Sequence, residues 1–137
     1  MGKRVLLLAL AIIFLVTVLA ACVLEEEPGI SRIDWDDYDL RAEQFVKALL
    51  NGDFAIASEG FDDDMVRLLG ANGLRRAWNS TARLAGEYVS MDEAELIDDN
   101  EYEIYNVVTR HKDRDINSRI VFSLDGKIAG LFFTFVQ

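Results

Sequence analysis

His111 is the sole histidine of the chain, and it stands in the run Arg110-His111-Lys112-Asp113-Arg114-Asp115. An imidazole can carry a proton between reacting groups. Here charges of both signs flank it and no serine or cysteine nucleophile is placed to pair with it, so the run reads as a solvated hairpin tip. Asp113, Asp115 and Asn117 alternate like the first oxygens of a calcium loop, but Ser118 replaces the turn glycine and Leu124 the bidentate glutamate. Asp62-Asp63-Asp64 is better explained as the cap of a short helix from Met65 to Leu69, because negative charge faces the free amides of a first helical turn. Asn79-Ser80-Thr81 meets the glycan acceptor pattern but falls inside a predicted helix. Zinc-ligand spacing and a glycine-rich phosphate loop are both missing. The sequence therefore assigns no catalytic residue, no metal and no cofactor.

Cys22, the only cysteine, offers a different chemistry. Lys3 and Arg4 precede an apolar run from Val5 to Leu24 broken only by Thr17, and Glu25-Glu26-Glu27-Pro28 follows it. That is the layout of an export signal. Leu19-Ala20-Ala21-Cys22 resembles the lipobox of prokaryotic lipoproteins, an aliphatic residue and two small residues before an invariant cysteine. The resemblance implies a diacylglyceryl group on the Cys22 sulfur and cleavage before it, so that residues 1–21 are a signal peptide. Two acyl chains anchor stably where one is marginal, at roughly 0.8 kcal/mol per buried methylene. The alternative is an uncleaved anchor, since about 20 apolar residues span a bilayer. Both readings place the acidic remainder outside the cytoplasmic membrane. The implied location is the outer side of that membrane, or the outer membrane of a two-membrane host, as Val23 is not the Asp associated with inner-membrane retention. With no second cysteine an internal disulfide is excluded, and stability must come from the core.

The 24 acidic and 14 basic side chains give a net charge of −10. Removing residues 1–21 takes away Lys3 and Arg4 and no acid, leaving the remainder more acidic still. Nucleic acid is thereby excluded as a partner, because phosphate binding relies on clustered Lys and Arg. The length suits about one domain, with residues 22–38 as lipidated cysteine and tether and residues 39–137 as the folded part.

Periodicity places the elements. Ala42, Phe45, Val46, Leu49 and Leu50 recur at three and four residues, predicting a helix from Asp39 to Leu50, with Asp39 as its cap and Asn51-Gly52 as its stop. A second helix is expected over Phe54 to Leu69, interrupted at Gly60. A third is expected over Leu74 to Ala85, with Leu74, Ala77, Trp78, Thr81, Leu84 and Ala85 on one face. β-branched and aromatic residues then predict four strands, Tyr88 to Ile97, Tyr102 to Arg110, Arg119 to Leu124 and Lys127 to Val136, the last two joined by a two-residue hairpin at Asp125-Gly126. Three helices packed on a curved antiparallel four-stranded sheet is an α+β layout.

In the last strand Leu131, Phe133 and Phe135 point one way and Phe132 and Val136 the other, and both sets are apolar. One face meets the helices and the other needs a cover. Leu131, Phe133 and Phe135 are the candidate face for a homodimer. The competing cover is the segment Ile30, Ile33, Trp35 and Tyr38 folded back.

The run Ala42-Glu43-Gln44-Phe45-Val46-Lys47-Ala48-Leu49-Leu50-Asn51-Gly52-Asp53-Phe54, the stretch Leu74 to Trp78 and the closing Asp125-Gly126-Lys127-Ile128-Ala129-Gly130-Leu131-Phe132 resemble a domain family of unknown function in the nuclear transport factor two-like, cystatin-like superfamily. Its members occur beside an alpha/beta hydrolase domain or alone behind a signal sequence. The resemblance, over about residues 40–136, implies a cone of helices over a curved sheet, which in the superfamily often encloses a pocket. Isomerases, dehydratases, carriers and dimerisation modules all use that fold. An isomerase of this kind would need a pocket Asp as base with a Tyr at the oxyanion; Asp92, Tyr102, Tyr105 and Asn106 supply the types, though nothing singles them out. Phe45, Phe61, Trp78 and Tyr105 form the candidate pocket, with ordinary core as the plainer reading. The expected function is that of an exported, lipid-anchored, non-catalytic binding or protein-interaction module meeting an envelope protein or small ligand. A carrier or an isomerase-like or dehydratase-like enzyme using the cone cavity is the alternative.

Overall fold

A computed structural model of the chain describes residues 37–137. The expected signal peptide, Cys22 and nearly all of the expected tether lie outside the described residues.

Helix α1 runs Tyr38–Asn51. Its cap is Asp37 rather than Asp39: the Asp37 side chain accepts from the Asp39 amide at 3.1 Å, satisfying a first-turn donor. Ala42, Phe45, Val46, Ala48 and Leu49 form its buried stripe. Gly52 then takes φ of 79°, and the amide of Asp53 returns to the Ala48 carbonyl at 2.8 Å, closing the helix end. Tyr38, in the first turn of α1, packs edge-on against Phe122 at 5.2 Å.

The expected second helix is two short ones, so the described fold has four helices, not three. Helix α2 is Phe54–Ser58 and helix α3 is Asp63–Leu68. Between them a turn at Glu59 and Gly60 leads to Phe61, which bridges to β-sheet residue Ile128: the Ile128 amide donates to the Gly60 carbonyl and the Asp62 amide to the Ile128 carbonyl. Asp62 caps α3 through the Met65 amide at 2.7 Å, with Asp63 and Asp64 in the first turn. Helix α4, Gly70–Ala85, buries Leu74, Trp78 and Ala85, a stripe at four and seven residues. Leu84, expected on that stripe, is exposed beside Arg83.

Five strands form one antiparallel sheet: β1 Tyr88–Met91, β2 Glu95–Asp98, β3 Glu103–His111, β4 Ile116–Phe122 and β5 Ile128–Phe135. The order is β1, β3, β4, β5, and β2 also pairs with β3. The predicted first strand is thus two strands sharing one edge. Asp92 still donates to Val108, but the Ala94 amide donates to the Glu43 carboxylate of α1 at 3.1 Å, and the ladder breaks there. Strand β4 begins at Ile116, so the β3–β4 turn is shorter than expected. The β4–β5 hairpin is a three-residue connection: Ser123 pairs with Lys127, and the Gly126 amide closes a turn onto the Ser123 carbonyl at 2.8 Å. Gly126, at φ of 78°, makes the left-handed step such loops require.

The core lies between α1, α4 and one sheet face. Ile116, Ile120 and Phe122 of β4 point into it, while Asn117 and Arg119 point away. Leu131, Phe133 and Phe135 pair with Ile120, Ser118 and Ile116, so they too face the helices.

Candidate functional site

Phe45, Phe61, Trp78 and Tyr105, the candidate pocket, are between 0% and 4% exposed. Each is matched by another ring: Phe45 meets Phe61 at 6.4 Å, Trp78 stands edge-on to Phe133 at 5.3 Å, and Tyr105 edge-on to Phe122 at 6.1 Å. Such contacts at this spacing are those of a filled aromatic core. The Tyr105 hydroxyl donates to the Glu103 carboxylate at 3.1 Å. Burial, and then the carboxylates of Asp39 and Glu103, push its pKa well above the ordinary tyrosine range. It is held as a neutral donor with its proton committed.

The residues that an isomerase would need do not converge. Tyr105 points into the core, whereas its neighbour Asn106 lies on the open face and accepts from Arg119 at 3.1 Å. Tyr102 is exposed ahead of β3. Asp92 is engaged by Arg110, whose guanidinium also reaches Asp115, both at 2.6 Å. These two bonds, that to Asp92 first, raise the Arg110 pKa. Arg110 and then the His111 amide hold the Asp115 carboxyl below its usual range. Asp115 thus fixes the β3–β4 turn instead of opening a calcium loop. Among the described residues, no three His, Cys, Asp or Glu side chains converge as metal ligands.

His111 is not at a solvated tip. It ends β3 at 8% exposure, continuing the inward series Tyr105, Val107 and Thr109. The signal was present in that alternation, which extends one residue beyond the predicted strand end. Tyr88 stands edge-on to its ring at 5.9 Å.

Two surface features remain. On the open sheet face Arg119, Phe132 and Thr134 line a shallow depression, with Phe132 57% exposed. Beside the broken edge, Glu43 and Lys47 of α1 and Tyr88 to Glu93 line an open groove. The dimer face read from sequence at Leu131, Phe133 and Phe135 is instead the helix-facing side of β5, and Phe132 carries the outward apolar surface. The hairpin register decides this, because β4 turns its polar residues Asn117 and Arg119 outward.

These features define a small α+β domain with a packed interior and an open antiparallel sheet face. The chain belongs to the family described as protein of unknown function (DUF3887), which it matches over residues 42–131. It is also 29% identical over 96 residues to the esterase EstD of Thermotoga maritima, covering 70% of this chain and 23% of that protein. The chain thus spans about a quarter of the length of the curated relative it matches. No solved structure matches it.

Proposed function

We propose that the chain is an exported lipoprotein, held by acyl chains on Cys22 at the outer side of the cytoplasmic membrane or at an outer membrane, whose domain is a non-catalytic binding module of nuclear transport factor two-like architecture. The observation that carries the non-catalytic reading is the packed interior: the four aromatics that would line a ligand cavity pack on other rings. The stretch shared with the Thermotoga maritima esterase is a minority of that protein, which suits a domain working beside another rather than a whole enzyme. The lipidation rests on Leu19-Ala20-Ala21-Cys22 and the basic, apolar and acidic order around it. A tether at a surface raises the local concentration of the domain toward partners there.

Two measurements test this. Cells fed a fatty-acid analogue incorporate label into the wild-type chain and not into Cys22→Ser; label surviving in the variant removes the anchor. Native mass spectrometry of the full chain from its own host gives the acylated mass alone, and short-chain aryl esters are not hydrolysed. A constant additional small-molecule mass would replace the module with a carrier, and ester turnover would replace it with an enzyme.

A further inference from the structure

The two edges of the sheet are unlike. The β1–β2 edge is broken twice by register shifts and carries Glu87, Asp92, Glu93, Glu95 and Asp98. Short strands, bulges and charge are the usual defences against pairing with another chain. The β5 edge is neither short nor charged: the strand has eight residues, from Ile128 to Gln137 there is not one charged side chain, and its single register shift, between Ile128 and Gly130, precedes Leu131.

The direction of the β5 backbone follows from its register. The Val136 amide donates to the Asp115 carbonyl at 3.0 Å, and the pairing then runs without a shift from Ile116 with Phe135 to Val121 with Gly130. In an antiparallel ladder the bonded residues alternate, so Gly130, Phe132 and Thr134 turn their amides and carbonyls to β4. Those of Leu131, Phe133 and Phe135 turn outward. At Ile128 the outward groups are taken, by Gly60 and Asp62 at 2.7 and 3.0 Å. Beyond that point β5 is the last strand, and no described element pairs with it.

We propose that this edge is a self-pairing site. A second copy adds antiparallel about a two-fold axis at Phe133, placing Phe133 opposite the partner's Phe133 and Leu131 opposite the partner's Phe135. The three outward residues are spaced symmetrically about Phe133, so donors meet acceptors in one register with six backbone bonds. That register stops short of Ile128, whose groups are occupied. The cross-strand neighbours are apolar on the core side, and Phe132 meets the partner's Thr134 on the open face. Charge disfavours a like copy at the acid-flanked β1–β2 edge, whereas pairing through β5 brings no like charges opposite one another. This pairing goes beyond the proposed function and holds whether or not Cys22 is acylated.

The test uses the full chain in mild detergent, by sedimentation and by amide hydrogen exchange across a hundredfold range of concentration. The expected result is a monomer–dimer equilibrium in which the amides of Leu131, Phe133 and Phe135 gain protection as the dimer forms. Phe132→Lys, at an exposed side chain, weakens the dimer at least tenfold with an unchanged monomer melting temperature. Val89→Lys on the opposite edge leaves the dimer intact. Any of four results overturns the proposal: fast exchange of the three amides at every concentration, protection independent of concentration (the chain's own amino-terminal segment on the edge), protection with a foreign mass bound, or a dimer indifferent to Phe132→Lys.

Discussion

The ring of His111 lies with Nδ1 3.0 Å from the Gly86 carbonyl oxygen, joining the end of β3 to the exit of α4. A carbonyl can only accept, so Nδ1 carries the proton, and Nε2 is left 3.0 Å from the Thr109 hydroxyl. Beside this bond the amides of Asp113 and Arg114 both donate to the Ala85 carbonyl, at 2.9 and 3.2 Å. The β3–β4 turn thereby supplies the donors that the last carbonyls of α4 would otherwise lack.

His111→Ala therefore leaves the Gly86 carbonyl without its donor and the Thr109 hydroxyl with only the Ile116 carbonyl, 3.5 Å away. The expected loss of stability is on the order of 1–3 kcal/mol, the range for an unsatisfied buried polar group. Urea unfolding at neutral pH reads it as a lower midpoint at unchanged slope. An unaltered midpoint would mean that the imidazole does not join these elements.

Gly126 and Gly52 separate strain from crowding. Both take positive φ, but a β-carbon at Gly52 meets nothing within 4 Å, whereas one at Gly126 comes 2.7 Å from Nη1 of Arg41. Arg41 donates from that nitrogen to the Gly126 carbonyl at 3.0 Å and stacks over Tyr38 at 4.6 Å, so it cannot retreat freely. Gly52→Ala is expected to cost about 1 kcal/mol, the left-handed penalty alone. Gly126→Ala is expected to cost more, and the order of their melting temperatures checks it. Equal losses would show that Arg41 moves aside.

Acid lowers stability through Asp115. Its folded pKa is depressed, first by Arg110 and then by the His111 amide, so its contribution is present above the ordinary carboxylate value and is lost as pH falls through the lowered one. Asp125, depressed by the Ser123 hydroxyl first, acts with the same sign. Between pH 5 and pH 2 the urea midpoint of Asp115→Asn falls less steeply than that of the wild type. Parallel curves would remove Asp115 from the acid response.

The helices were legible where stripe and stop agreed, as in α1 with its Phe45, Val46 and Leu49 stripe and Gly52. They were less legible where a tertiary bond overrode local preference. Nothing near Gly60 in the sequence announces that this segment bonds to Ile128, and nothing near Ala94 announces that Glu43, 51 residues away, takes its amide. The residue types that an isomerase would need separate in space for a related reason. Residue types such as those of Tyr105 and Asn106 can be read off the chain, but consecutive strand residues face opposite sides, so adjacency in sequence separated the pair in space. For β5 the sequence did hold the answer, in its neighbour: Asn117 and Arg119 mark the solvent side of β4, and the hairpin carries that assignment across.

The face assignment of β5 makes the sharpest mutational contrast, because it concerns adjacent residues of one type. Phe133 packs on Trp78 and the core, whereas Phe132 is more than half exposed. Phe133→Ala is expected to lose about 2–3 kcal/mol, less than the truncation of a fully buried aromatic because Phe133 is partly exposed, and to alter Trp78 fluorescence. Phe132→Ala is expected to lose less than about 1 kcal/mol when measured on dilute monomer. Denaturation of both variants side by side decides which face the helices cover. If Phe132→Ala proved the more damaging, the register between β4 and β5 would be shifted by one residue, since only such a slip exchanges the two faces.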